Sequence, residues 1–324
     1  MGFYTVIVLL LAATIRVATP LLLAALGGLF SERAGVIDLG IEGKMLGAAF
    51  ASAAVSAASG SAWLGLGAGI LTGVFLASVI GFASITHRGN QVVAGLAVTI
   101  MVAGIAPTLG LAWFNQGGQT PALDAAGQRF VAVIWPWSQT LRERPFPGLI
   151  YAELLSGHNP IVYLAALLVP FSAWVLYRTR FGLRLRAVGE NPHAVDTAGI
   201  AVNGLRFQAV LISGALCGVA GTFLSTAASS GFQRDMTAGK GYLALAALIF
   251  GKWRPYPTLG ACLLFAFADA LAARLQGVAL PLVGTIPVQF ILALPYALTV
   301  LLLAGFVGRA IPPRALGTPY SKAK

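Results

Sequence analysis

The chain has 324 residues, of which 58% are hydrophobic and only 10% charged, with a mean hydropathy of +0.84. Soluble domains carry about a quarter charged residues, and apolar stretches near the roughly 20 residues needed to cross a bilayer recur along the whole length, so this is an integral membrane protein. The net charge of +11 does not point to nucleic acid, because no soluble basic segment interleaved with aromatics carries it and the cytoplasmic flanks of membrane spans account for the excess.

Apolar spans are expected at 3–30, 43–58, 62–85, 92–114, 160–177, 207–228, 240–251, 258–273 and 285–305. Each is read as helical, because only helices and closed barrels satisfy backbone polar groups in lipid, and runs this continuously apolar lack the alternation of a barrel. The fold class is therefore all-α: one polytopic transmembrane domain over 1–324, with about 8–10 spans, some of them broken or re-entrant. No removable signal peptide is read at the N-terminus, which lacks a short basic region and a cleavage site.

The first span contains Arg16 and runs into Ser31-Glu-Arg-Ala-Gly-Val-Ile-Asp-Leu-Gly-Ile-Glu-Gly-Lys44. Three acids, two bases and three glycines in an apolar setting suggest an interrupted helix at membrane depth, shielded by protein or lining a wet cavity. A charge at the membrane centre costs roughly 2.5–3.5 kcal/mol. Asp38 and Glu42, four apart, would share a helix face. They are candidates for solute contact, or else members of an internal ion-pair set such as Glu42 with Lys44 or Arg33 with Asp38. The orientation of the N-terminus is left open.

In 62–85, Gly65, Gly69, Gly73, Ala77 and Gly81 recur every fourth residue. This is a device for close helix approach, within one subunit or between two. Asn90 and Gln91 open the next span, where their amides could bond a hydroxylated solute or cap a helix end. The stretch 115–159 holds four prolines and balanced charge and is expected to be an external loop.

Segment 178–206 carries Arg178, Arg180, Arg184, Arg186 and Arg206 against Glu190 and Asp196. With the tail 306–324, which adds Arg309, Arg314, Lys322 and Lys324, it is assigned to the cytoplasm, placing the C-terminus inside. Within it, Gly189-Glu-Asn-Pro-His-Ala-Val-Asp-Thr-Ala-Gly199 encodes a short helix near 192–198. Asn191 is its N-cap, Pro192 suits the first turn and Gly199 closes it. At about 10 Å that helix cannot span lipid, and it reads either as a docking element for a cytoplasmic partner or as an ordinary structured loop. Finally, Gly239-Lys-Gly-Tyr242 leads into an apolar run too short to cross the membrane as a straight helix, so a broken or re-entrant element is expected. Tyr242 could stack on a solute ring or belong to an aromatic belt.

Enzyme signatures are missing: there is no P-loop, no Gly-x-Ser-x-Gly and no His-Glu-x-x-His. Cys217 and Cys262 both lie in apolar spans, so neither a disulfide framework nor a zinc site is read. No metal or cofactor is assigned to this chain.

Three segments in order carry a resemblance: Glu32-Arg-Ala-Gly-Val-Ile-Asp-Leu-Gly-Ile-Glu-Gly43, Gly189-Glu-Asn-Pro-His-Ala-Val-Asp-Thr-Ala-Gly-Ile200 and Gly239-Lys-Gly-Tyr-Leu-Ala-Leu-Ala-Ala-Leu-Ile-Phe-Gly-Lys-Trp253. From about residue 17 to 305 the chain resembles permease subunits of bacterial ABC importers for simple sugars and nucleosides, the ribose and basic-membrane-protein-associated group. The resemblance implies a type II ABC importer-like fold in the inner membrane and a paired permease, identical or paralogous, around a central pathway. It also implies cytoplasmic ABC ATPase subunits that bind ATP and Mg, and a periplasmic or lipid-anchored solute-binding protein. The ATPase would dock on Glu190, Asn191, Pro192, His193, Ala194, Asp196, Ala198 and Gly199; Asp38, Glu42, Asn90, Gln91 and Tyr242 would lie along the solute pathway. Branched-chain amino-acid permeases tend to carry Asn-Phe-Ala-His-Gly where this chain has Ile37–Gly43. Glu32-Arg33 and Gly251-Lys-Trp253 favour nucleosides over simple sugars. The competing readings are a proton-coupled secondary transporter using Asp38 or Glu42, and a polytopic enzyme on lipid-linked substrates using them as acid and base.

Overall fold

In the computed structural model, residues 3–142, 148–276, 279–280, 284–285 and 310–322 are described, with single positions at 293, 297 and 300. The helices in chain order are α1 (Phe3–Arg33), α2 (Ile41–Ser59), α3 (Ala62–Gly81), α4 (Gln91–Phe114), α5 (Ser138–Arg142), α6 (Gly148–Ile150), α7 (Pro160–Arg178), α8 (Arg180–Glu190), α9 (Pro192–Thr197), α10 (Val202–Phe223), α11 (Lys240–Phe250) and α12 (Pro255–Leu275). Wider π turns extend α3 over Phe82–Thr86 and α10 over Leu224–Ala228. Among the described residues, six helices are long and apolar enough to cross a membrane. α2 adds a seventh, less apolar helix of 19 residues. A two-residue antiparallel pair, Ala279–Leu280 with Gly284–Thr285, follows α12. The span expected at 285–305 lies outside the described residues except for isolated positions.

Two faces emerge from contacts between distant segments. On one, Arg33 Nε donates to Trp253 O at 2.9 Å, the Ile37 amide donates to Gln91 Oε1 at 2.7 Å, and Arg206 Nε donates to Ala34 O at 3.2 Å. The 34–40 break, the α3–α4 turn, α8, α9 and the α11–α12 turn are therefore gathered at one end of the bundle. Exposed Arg88, Arg178, Arg180, Arg184, Lys252, Arg254, Arg314 and Lys322 stud this basic face. At the opposite end, Ala62 N bonds Gly127 O at 2.7 Å, Thr120 N bonds Phe232 O at 3.2 Å, and Leu123 N bonds Ser230 O at 2.9 Å.

The chain's path follows from these anchors. α1 runs unbroken to Arg33 at the basic face, so its N-terminal end lies toward the opposite face. The short run at 240–251 is the broken element expected. Residues 229–239 enter from the face opposite the basic one without helical structure, and α11 completes the crossing to Trp253. In lipid such irregular backbone needs a protein shield; Phe232, 1% exposed, packs against Leu46, Phe50 and Val102.

α10 is the axis of the bundle, packed on α1, α2 and α3. The glycine stripe of α3 meets it within the same subunit. A Cβ at Gly73 would collide with Gly214 O, one at Gly69 with Thr222 Oγ1, and one at Gly218 with Gly69 O at 2.7 Å. At its outer end the stripe meets α2 instead, where a Cβ at Gly65 would strike Ser56. Two backbones this close leave no volume for a side chain, as in small-residue packing generally. Gly73→Leu is expected to lower the stability of the detergent-solubilised protein by roughly 3 kcal/mol. Gly67→Leu, where a side chain meets open space, should leave the thermal midpoint unchanged; equal midpoints for both would contradict this packing.

Candidate functional site

Of the seven residues between α1 and α2, Ile37 and Leu39 are half-buried and the other five are buried, with Asp38 1% exposed. A charge there must find a partner, since removal from water costs several kcal/mol per ion. Asp38 Oδ2 receives Lys44 Nζ at 2.5 Å and Ser213 Oγ at 2.5 Å, and Lys44 Nζ also donates to Ser213 Oγ at 2.8 Å. This closed triangle joins the break, α2 and α10. Neither pairing expected from the sequence forms. Lys44 takes Asp38 rather than Glu42, and Arg33 turns to the Trp253 carbonyl.

Glu42 serves a different purpose. Its two oxygens accept the backbone amides of Gly239 at 2.8 Å and Gly241 at 2.6 Å. The first amides of a helix have no partner within it, and the positive end of the helix dipole favours a carboxylate. Glu42 thus caps the half-helix α11. Gly241 is fixed as glycine because a Cβ would sit 2.6 Å from Glu42 Oε2. At the other end of α11, the Trp253 indole donates to Glu32 Oε2 at 2.5 Å.

Of the five residues expected along a solute pathway, Asp38, Glu42 and Gln91 gather around the break; Glu42 engages both oxygens and Gln91 its Oε1, whereas Asp38 engages Oδ2 and keeps Oδ1 buried without a partner. Asn90 lies at the edge, exposed, accepting from Val92 N at 2.9 Å and Val93 N at 3.2 Å as the N-cap of α4. Tyr242 is 40% exposed on α11, one residue beyond the Gly241 amide that Glu42 accepts.

The second cluster lies on the basic face. Asn191 Oδ1 accepts from Ala194 N at 3.1 Å, Pro192 occupies the first turn of α9, and Gly199 takes φ +77° just beyond it. Glu190, Asn191, His193, Ala194, Ala198 and Gly199 are exposed, whereas Pro192 is buried and Asp196 half-buried. The segment 310–322, expected only as a basic tail, is seated against this helix. Ala315 N donates to Gly189 O at 2.8 Å, Gly317 N to Gly35 O at 3.2 Å, and Arg206 Nη1 to Thr318 O at 2.9 Å. Tyr320, 6% exposed, packs with Val188, Val195 and Val202, its ring 5.3 Å from that of His193. The tail therefore links α9 directly to the α1–α2 break.

Sequence reasoning missed a third feature, a cavity of about 530 Å³ between α1, the end of α10, the 229–240 segment and α12. Its polar lining is Arg16, Asn159, Ser229, Gln233, Lys240 and Asp269. Asp269 stands alone in an apolar span, and intramembrane ionisable residues mark functional sites by default; that was the available signal. Next in sequence to the lining residue Asn159, the His158 imidazole is held below its ordinary range by burial and then by the nearby Arg16. A groove of similar size between α2, α3 and α4, walled by Phe50, Leu71, Phe75 and Trp113, is almost wholly apolar and offers little to a hydroxylated solute. No group of three or more metal-ligating side chains occurs among the described residues.

The family described as branched-chain amino acid transport system / permease component matches residues 10–303. The chain is 37% identical to the guanosine ABC transporter permease protein NupQ of Bacillus subtilis over 100% of both chains. It is 37% identical to the nucleoside ABC transporter permease protein NupC of Lactococcus lactis, covering 95% of each. It is also 38% identical to the putative glucose ABC transporter permease protein TsgC13 of Haloferax volcanii, over 87% of this chain and 82% of that one. The chain belongs to this permease family and is a multi-pass transport subunit, not an enzyme.

The Asp38–Lys44 pair yields a direct test. Lys44→Met strands a buried carboxylate and should cost about 3–5 kcal/mol in thermal or denaturant unfolding, whereas Asp38→Asn with Lys44→Met should recover most of that loss. A single variant as stable as wild type would show that the triangle does not hold the break.

Proposed function

From this family membership, we propose that the chain is the membrane-spanning half of an ATP-driven importer of nucleosides, with simple sugars the next choice. The observation that carries the energy-coupling part is α9, a capped helix too short to span lipid, held on the basic face by the tail. Basic residues concentrate on the cytoplasmic side of membrane proteins. The basic face is therefore cytoplasmic, with the C-terminus inside, the N-terminus outside, and 115–159 external. His193, Ala194 and Ala198 form the exposed ridge on which an ABC ATPase docks. Pro192 and Asp196, turned inward, fix its pose, and Glu190, Asn191 and Gly199 set its ends.

ATP and Mg belong to the ATPase partner; this chain holds no cofactor. A second permease, a paralogue or another copy, completes the pathway, and an extracytoplasmic binding protein delivers the solute. Nucleoside specificity is favoured because relatives named for guanosine and for nucleosides align along almost their whole length, although the relative named for glucose keeps sugars in play. The proton-coupled transporter and the membrane enzyme both required Asp38 or Glu42 as a free carboxylate. With Asp38 in an ion pair and Glu42 capping a helix, no observation favours either.

Docking on α9 has a clear consequence. Ala194→Arg, on the exposed ridge, should lower ATP-driven uptake about tenfold or more, as loss of an interface hot spot does, without shifting the thermal midpoint. Uptake and solute-stimulated ATP hydrolysis at wild-type levels would contradict the assignment.

A further inference from the structure

The cavity lined by Arg16, Asn159, Ser229, Gln233, Lys240 and Asp269 lies outside both the α9 cluster and the polar core of the break. Its depth can be counted along the helices. Lys240 lies ten residues before the end of α11, about 15 Å from the basic face at 1.5 Å per residue. Asp269 lies about 21 Å from the start of α12, and Arg16 about 25 Å from Arg33. Asn159 and Ser229 stand where α7 begins and α10 ends, at the opposite face. The cavity thus descends from that face to mid-membrane, with Arg16, Asp269 and Lys240 at successive depths.

Charge and volume restrict what this cavity does. First, among the described residues no ion pair joins Arg16, Lys240 or Asp269 to an opposite charge. Unpaired charges cannot face hydrocarbon, so the mouth must open to water or to another protein surface. Second, its volume falls within the roughly 300–1,000 Å³ of small-molecule sites, and its mixture of donors and acceptors suits a polar ligand. One carboxylate can accept both protons of a vicinal diol, while the cations and carboxamides can donate to carbonyl or ring-nitrogen acceptors at the ligand's other end. An apolar ligand would strand all six groups.

We propose that this vestibule is a solute subsite on the external side of the pathway, taking a neutral ligand with a diol at one end and hydrogen-bond acceptors at the other, the make-up of a purine nucleoside. Asp269 receives the diol and Lys240 marks the floor. The proposal rests on the importer reading above and deepens it, since it names residues that meet the solute after the binding protein releases it.

The test uses the full complex of permease, ATPase and binding protein in proteoliposomes, with labelled guanosine and labelled ribose run side by side. Asp269→Asn is expected to lower uptake of the imported solute about tenfold or more, the worth of a hydrogen bond to a charged group, with the thermal midpoint unmoved. Because that variant could fail for structural reasons, Ala228→Cys provides a second readout at the cavity wall. The native Cys217 and Cys262 are buried, so a polar maleimide should label Cys at 228 selectively, and guanosine should slow that labelling. Uptake by Asp269→Asn equal to wild type overturns the proposal. So does labelling unaffected by guanosine in a complex that imports it. A wild-type complex that hydrolyses ATP but imports neither solute overturns the importer reading and this inference with it. Import of ribose alone, with Asp269→Asn defective, upholds the subsite for a sugar diol and removes the nucleoside.

Discussion

A charge buried at membrane depth must be neutralised by its own protein, and that requirement organises the most irregular part of this fold. Lys44, fully buried, bonds Asp38 Oδ2 and Ser213 together, so the loop between α1 and α2 cannot leave α10 without exposing an ion to lipid. Glu42, one turn along, spends its carboxylate on two amides of α11. A half-helix ending inside the membrane would otherwise present unpaired donors to hydrocarbon. The acids that look like site residues are what allow the chain to be broken twice without a penalty it could not sustain.

Around that polar centre the bundle is assembled by close approach. α3 and α10 meet backbone to backbone through Gly69, Gly73, Gly214 and Gly218, which makes them one stiff unit. Contacts at the basic face then run in series. α9 is packed on Tyr320, the tail bonds Gly35, and the break beyond Gly35 carries Asp38 and, through Glu42, α11. In the proposed transport cycle, a displacement of α9 by the ATPase reaches the floor of the external vestibule along this route, since α11 begins at Lys240. Packed interfaces with discrete arrangements are the physical means by which such displacements are carried.

Much of this was legible in the residues. Span positions followed from hydropathy, the α3 stripe from its four-residue spacing, α9 from Asn191, Pro192 and Gly199, and the half-helix from a run too short to cross. What was not legible were the partners. Ser213, Gly239 and Trp253 lie some 170–220 positions from the charges they satisfy, and no local spacing encodes such a meeting. Short-range spacing offers Lys44 to Glu42 and Asp38 to Arg33 as one alternative, and neither pair forms. The tail was read by charge alone, although Pro313, Gly317 and Tyr320 are poor choices for a merely solvated basic end. Asp269, a single acid in an apolar run, forms no pattern; only its cost in lipid betrays it.

The central claim is that this chain works as a permease driven by a separate ATPase. The most direct measurement is gentle solubilisation of the tagged protein from its native membrane, with native mass spectrometry of what accompanies it. The account predicts a complex with two P-loop ATPase subunits and a second permease subunit, identical or paralogous. Recovery of this chain alone across several mild detergents, with solute uptake that collapses with the proton gradient rather than with ATP, would contradict it.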